Sequence, residues 1–214
     1  MTEGESRPPI DELIAGLAVD VPDFPVPGVL FRDLTPVFAD PVGFRRMVEG
    51  LTVQQDGDPR AAAVGGDAGP GFDVVVGVEA RGFLLAAAVA LGAGVGVVPV
   101  RKAGKLPRAA VSADYALEYG TATLELHADS LQPGQRVLLV DDVLATGGTL
   151  AAAVALVERL GAVVTAISVV IELVALGGRA GHRVRGEVRG HGDSCCLRRD
   201  DPHHASGARG TGGP

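Results

Sequence analysis

VLLVDDVLATGGTL, residues 137–150, is the stretch whose reading decides the fold. It opens on a continuous apolar run, which is how a strand buried on both faces reads. The strand runs out at Asp141 and Asp142, and after three intervening residues Thr146-Gly147-Gly148-Thr149 opens a helix. Glycines let backbone N–H groups approach an anion without Cβ interference, the hydroxyls of Thr146 and Thr149 add donors, and the helix N-terminus contributes a partial positive charge. Together these suit a monophosphate. Two adjacent acids beside such a pocket would repel it unless they bound something else, and two vicinal sugar hydroxyls are natural partners for two carboxylates. The stretch therefore reads as a cradle for ribose 5-phosphate at the carboxyl edge of an open α/β sheet. It is not a Walker loop, because no Gly-Lys-Ser/Thr follows, and it lacks the G-x-G-x-x-G order of a dinucleotide turn.

Working outward, residues 149–161 form a helix that stops at a glycine, and residues 163–173 a further strand. Upstream, residues 74–78 are a short β-branched run that fits a buried strand, Arg81-Gly82 and FLLAAAVALG fit the crossover helix after it, and residues 94–100 are the next strand. The alternation is β-α-β, hence a parallel sheet covered by helices. Residues 107–119 show neither period, so a mobile loop and a pair of edge strands are both open. Residues 10–19 have apolar positions near helical spacing, and Asp40-Pro41 read as the N-cap and first position of a helix through Leu51. Between them, VPDFPVPGVLFRDLTP carries four prolines and is expected to be an ordered loop. Residues 55–73, rich in Gly, Ala, Pro and Asp, read as a surface insertion.

Composition bounds the function. At 214 residues, 47% apolar but only 4% aromatic, one domain with an Ala/Val/Leu core is expected. The net charge of -7 argues against a nucleic-acid partner, whose affinity would come from Lys and Arg displacing counterions. The N-terminal MTEGESRPPIDEL has acids where a signal peptide is basic, and no apolar run approaches the roughly 20 residues that span a bilayer. A cytoplasmic enzyme without membrane contact is the expectation. The only cysteines, Cys195 and Cys196, are adjacent and suggest no disulfide framework.

Residues 137–150 resemble the 5-phosphoribosyl 1-pyrophosphate motif of the type I phosphoribosyltransferases across its whole length. Further segments resemble the adenine-using branch of that family: FPVPGVLFRDLTP from Phe24, VEARGFLLAAAVALG from Val78, VPVRKAGKLPR from Val98 and DYALEYGTATLELH from Asp114. The likeness runs from about residue 10 to 178. It implies an α/β fold with a central, mostly parallel sheet flanked by helices. Residues 1–36 would be an N-terminal helix and base-binding hood, and residues 37–180 the transferase core. It implies transfer of the phosphoribosyl group from phosphoribosyl pyrophosphate to adenine, giving AMP and pyrophosphate in purine salvage. Mg²⁺ would be held mainly through the substrate, with no direct protein ligand, and the protein would be a homodimer.

Carried onto matching positions, the resemblance places Asp141, Asp142, Ala145, Thr146, Gly147, Gly148 and Thr149 around the ribose 5-phosphate. Arg81, Arg101, Lys102 and Lys105 would surround the pyrophosphate, where cations stabilise departing negative charge. Lys105 equally fits a solvated charge run, and Glu79 either orients this edge or is a plain salt-bridge partner. Leu30, Phe31 and Arg32 would line the adenine site, with Phe31 stacking on the purine and Leu173 covering its other face; without the resemblance, a core position is as good a reading of Phe31. Glu118 matches the family's acid/base residue on a flexible loop, with Tyr119 helping to close the site. Glu118, Arg81 and Lys102 are thus the candidate catalytic residues.

From residue 190 onward, GHGDSCCLRRDDPHHASGARGTGGP departs from the family, which continues with apolar strand residues. Disorder is the expectation for residues 190–214. A zinc site from His191, Cys195, Cys196, His203 and His204 is disfavoured, since adjacent cysteines do not readily face one tetrahedral metal. Three rival readings remain: a transferase for another purine or pyrimidine base, a regulator of the same fold that binds the ligand without reacting, and, given the long loop and the aberrant tail, a catalytically weakened paralogue.

Overall fold

The computed structural model describes residues 8–24, 26–28, 30–52, 71–116 and 121–179, with two short strands, Glu187–Arg189 and Leu197–Arg198. Its centre is a sheet of six strands in the order β8-β7-β3-β4-β6-β5, where β3 is Val74–Val78, β4 Gly96–Lys102, β5 Ala110–Ala116, β6 Thr121–His127, β7 Arg136–Leu144 and β8 Val163–Glu172. The four strands from β8 to β4 are parallel, and β6 and β5 add antiparallel. The mostly parallel α/β reading holds.

The runs VVVGV and VLLV are apolar without alternation because both faces of the sheet are covered. On one face Val74, Val76, Leu139 and Ile167 pack with Leu156 and Val157 of helix α5, Gly148–Arg159. On the other, Val75, Leu138, Val140 and Val170 meet Leu85 and Val89 of helix α4, Gly82–Ala93. Helices α1, Ile10–Leu17, and α3, Pro41–Thr52, extend that layer with Ile14, Met47 and Leu51. Truncating a fully buried side chain such as Leu139 to Ala would cost about 2–5 kcal/mol. Helix α3 starts as its sequence implies: Asp40 Oδ1 accepts the Gly43 N–H at 2.6 Å.

The proline-rich stretch is more regular than expected. β1, Val19–Pro22, and β2, Leu30–Asp33, form a two-stranded antiparallel sheet, and Thr35–Ala39 is a short helix, α2. The prolines lie where each element tolerates them: Pro22 ends β1 and Pro36 sits in the first turn of α2. Asp33 closes β2 by accepting the N–H and hydroxyl of Thr35 at 2.9 and 2.6 Å. The open choice for residues 107–119 resolves, up to residue 116, as edge strand β5 paired with β6 along Ala110–Ala116. Strand β7 also runs three residues beyond its expected end, through Asp142 to Leu144, because the pairing with β8 continues to Leu144 and Glu172.

Two further short strands lie near the C-terminus. β9, Glu187–Arg189, pairs parallel with Ala166–Ser168 of β8, and β10, Leu197–Arg198, with Ile171 and Glu172. Leu197 and Arg198 fall inside the segment expected to lack order; sheet-edge pairing needs only backbone groups, so no apolar pattern announced it. His191, Cys195, Cys196, His203 and His204 lie outside the described residues.

Candidate active site

Strand β3 pairs with β4 on one side and β7 on the other, and the chain leaves it through α4 toward β4 while β7 continues through α5 toward β8. The β3/β7 boundary is therefore where the sheet's connections part, and the carboxyl ends of its strands flank a ligand crevice. Of the residues singled out from the sequence, Asp141 and Asp142 lie on β7 at this boundary, and Arg81 contacts Asp142 and Phe31 beside it.

After β7, Ala145, Thr146 and Gly147 turn the chain into α5. Gly147 caps the helix with φ +86°, a left-handed conformation that a side chain would strain. No side chain caps this end. The first N–H groups of α5 thus have no partner within the helix, and with the helix dipole they present positive potential beside half-exposed Thr149 and exposed Thr146.

Asp141 and Asp142 are 8% and 7% exposed. Burial, then the neighbouring Asp142 carboxylate, push the Asp141 carboxyl well above the usual carboxylate range. Its Oδ1 accepts the Asp142 N–H at 2.9 Å. Helix α4 begins hard against it: a Cβ on Gly82 would lie 2.9 Å from Asp141 Oδ1 and 3.0 Å from the Val140 carbonyl. Glycine at 82 is what lets the β3–α4 turn close over β7.

Arg81, the residue before α4, joins two parts of the site. Its Nε is 2.5 Å from Asp142 Oδ2, and its guanidinium lies 5.0 Å from the centroid of the Phe31 ring. Phe31 belongs to neither core cluster; it is half-buried and packs edge-on against Phe24 at 5.1 Å. The core reading of Phe31 is thereby set aside. Leu30 is exposed at the start of β2, and Arg32 Nε sits 3.0 Å from Asp20 Oδ1 on the paired strand β1. Leu173 leaves β8 half-buried and donates its N–H to the Leu144 carbonyl at 2.9 Å.

On the β4 side, Glu79 Oε2 accepts the Lys102 N–H at 3.0 Å and Arg101 Nε at 3.3 Å, and Arg101 Nη1 donates to the Lys105 carbonyl at 3.1 Å. Burial opposes charge on Glu79, but the Lys102 N–H and the Arg101 guanidinium outweigh it and hold the carboxyl below its ordinary value. Both open readings of Glu79 are combined here, since its ion pair also shapes the turn. Lys102 and Lys105 are exposed, with no ion pair among the described residues. Glu118 and Tyr119 lie outside the described residues.

Sequence reasoning passed over Phe24, the ring neighbour of Phe31, and Glu125, whose Oε2 accepts the Gly104 N–H at 3.0 Å and so braces the cationic turn. It also passed over Glu172, bound to Arg179. The one available signal was an acid closing the apolar run VVTAISVVIE.

The family model for the phosphoribosyl transferase domain matches residues 61–189. An adenine phosphoribosyltransferase of Salinispora arenicola is 55% identical over 176 residues, which cover 82% of this chain and 87% of that protein. Among solved structures, adenine phosphoribosyltransferase from Saccharomyces cerevisiae, complexed with adenine and an imino-altritol bisphosphate, superposes with a TM-score of 0.74 at 36% identity, covering 84% of this chain and 97% of that one. The enzyme from Rhodothermus marinus gives 0.73 at 41% identity, over 84% and 96%. Free N–H groups at the start of α5, buried paired acids and an arginine reaching the Phe31 ring of β2 stand beside sequence and fold likeness over most of the chain, which belongs to the phosphoribosyltransferase family, in its adenine phosphoribosyltransferase branch.

Proposed function

We propose that this chain transfers the 5-phosphoribosyl group of phosphoribosyl pyrophosphate to adenine, releasing AMP and pyrophosphate, as in purine salvage. The observation that carries the reading is Arg81, which links the buried Asp142 to the Phe31 ring and so joins a sugar-phosphate cradle to an aromatic surface suited to a purine. The α5 N-terminus with Ala145–Thr149 holds the 5-phosphate, and Asp141 and Asp142 take the ribose hydroxyls. Phe31 stacks on the base, Leu30 and Arg32 line its edge, and Leu173 closes the other face.

A ring nitrogen of adenine attacks the anomeric carbon as the bond to pyrophosphate breaks, through a transition state of oxocarbenium character. Positive charge builds on the sugar beside the two acids, and negative charge on the leaving group beside Arg81, Arg101, Lys102 and Lys105. Glu118 receives the proton the base loses, and Tyr119 helps to shield the reacting centre from water. Among the described residues no three His, Cys, Asp or Glu side chains converge as metal ligands. In this reading magnesium would be held mainly through oxygens that the substrate brings, and when bound it offsets charge on the pyrophosphate.

We read the working form as a cytoplasmic homodimer with residues 1–36 as a hood over the base. The support for a second copy is α4, apolar all round, with Leu84 57% and Leu91 85% exposed; such a helix is expected to be covered on every side. No described helix is long and apolar enough to cross a membrane. Incubating the purified protein with phosphoribosyl pyrophosphate, Mg²⁺ and each base in turn is the direct test. AMP from adenine is expected, and its absence while another base reacts would transfer the assignment to that base. Binding of the donor with no turnover of any base would favour the regulator.

A further inference from the structure

The loop leaving β8 is fastened to the loop leaving β7, and the fastening has no part in the roles assigned above. Glu172, the last residue of β8, is 4% exposed. Its Oε1 accepts Arg179 Nε at 2.6 Å, and its Oε2 is buried with no hydrogen-bond partner among the described residues. Glu172 pairs with Leu144 across the sheet, and the next residue, Leu173, donates its N–H to the Leu144 carbonyl. A single 3-10 turn, Val174–Leu176, then brings Gly178 against Ala145. A Cβ on Gly178 would lie 2.2 Å from the Ala145 carbonyl oxygen and 2.8 Å from Leu144 Cδ1, so only glycine fits. Leu144 and Ala145 are the residues from which the Thr146–Gly147–Gly148 loop springs.

We propose that the Glu172–Arg179 pair is a latch that positions the phosphate loop. By closing residues 173–178 into a tight turn it presses the Gly178 backbone onto Ala145 and sets where the following N–H groups point. A carboxylate at the end of an apolar strand is costly to bury, and a buried ion pair is weak support for stability, so its value here lies in geometry. Glu172 and Arg179 are thereby positioning residues, acting through the Gly178–Ala145 contact. The inference rests on reading the α5 N-terminus as the phosphate site.

The test uses the full-length chain with Arg179→Met, Gly178→Ala and, as the conservative variant, Arg179→Lys. Four quantities are read: melting temperature, kcat, KM for phosphoribosyl pyrophosphate and, independently of turnover, calorimetric affinity for ribose 5-phosphate. Arg179→Met and Gly178→Ala are expected to raise the donor KM and weaken ribose 5-phosphate binding about tenfold, the scale set by small displacements of positioning groups. kcat at saturation should change far less, and Arg179→Lys should recover most of the loss. A lowered melting temperature with donor KM and ribose 5-phosphate affinity unchanged would show a merely structural pair and overturn the proposal. If Arg179→Met does not fold, Arg179→Lys and Gly178→Ala decide, and unchanged donor KM and ribose 5-phosphate affinity in both would overturn the proposal. A wild-type protein with no affinity for ribose 5-phosphate would defeat the phosphate-site reading itself, and the latch with it.

Discussion

Glu79, just past β3, and Asp141, near the end of β7, stand at the same edge of the sheet, and the fold treats their carboxylates in opposite ways. Glu79 receives the Lys102 N–H and the Arg101 guanidinium, and its carboxyl is held below the ordinary range. Asp141 is buried beside a second carboxylate, and its carboxyl is driven upward. The first arrangement is that of a scaffold, in which charge is matched when the chain folds. The second leaves an electrostatic debt that the protein alone does not settle, and a ligand bringing hydroxyl donors or developing positive charge would settle it. Perturbed carboxyls at a strand edge are candidate functional groups for this reason.

The largest effect that could break the comparison comes from Asp141→Asn. Asparagine keeps an Oδ1 acceptor for the Asp142 N–H but removes the charge. kcat/KM for AMP formation is expected to fall about 10²–10³-fold, the range for removing one preorganised electrostatic contact to a transition state. Stability should move the other way. The folded-state pKa of Asp141 lies above the unfolded value of about 3.9, so the wild type loses stability as pH rises from the unfolded value toward the folded one. The variant has no such loss, and its melting temperature should match the wild type near pH 4 and exceed it increasingly toward neutrality. An active Asn variant, or one less stable at pH 7, would show that Asp141 is scaffold like Glu79.

Arg81→Lys sharpens the comparison at an intermediate scale. A lysine retains charge near Asp142 but cannot offer a planar guanidinium to Phe31. Steady-state kinetics should show KM for adenine and for the ribosyl donor rising together, each by about tenfold, since one side chain spans both subsites. A rise in only one of them would separate the two subsites.

How much of this was legible in the sequence follows from which physics each feature uses. The parallel core was readable because strands buried on both faces must be apolar throughout, as in VVVGV and VLLV. The strand-to-helix turn into α5 was readable because the glycines mark it, and Gly147 takes a left-handed φ of +86° there. The hairpin of β1 and β2 was hidden by prolines, which exclude helix but not edge pairing. Leu197–Arg198 was hidden because backbone pairing at an edge leaves no side-chain pattern. Arg81 was chosen for its charge and its place after a strand, but its contact with Phe31 joins residues 50 positions apart, which no local period encodes. Glu172 and Arg179 were passed over because an isolated acid and arginine in sequence read as solvated charges until the turn between them brings them together.

The smallest effect, and the one that completes the contrast, belongs to Glu79→Gln. Glutamine can still accept the Lys102 N–H but gives up the attraction to Arg101, so kcat/KM should fall only a few-fold, roughly as expected for a residue that shapes a turn rather than meets a developing charge. Its pH signature is the informative part. A carboxyl whose folded-state pKa is depressed contributes stability that is present above the unfolded value, about 4.3, and is lost as pH falls through the folded value. The Gln variant should therefore melt below the wild type at pH 7, with the gap closing under acid conditions. Thermal melts from strongly acidic pH to about pH 8 should thus show gaps of opposite sign: Glu79→Gln falls below the wild type as pH rises toward about 4.3 and stays there, whereas Asp141→Asn climbs above it only as pH rises beyond about 4. Parallel curves would mean that the two carboxylates are not differently treated, and the separation of ligand-facing from structural acids along this sheet edge would fall with them.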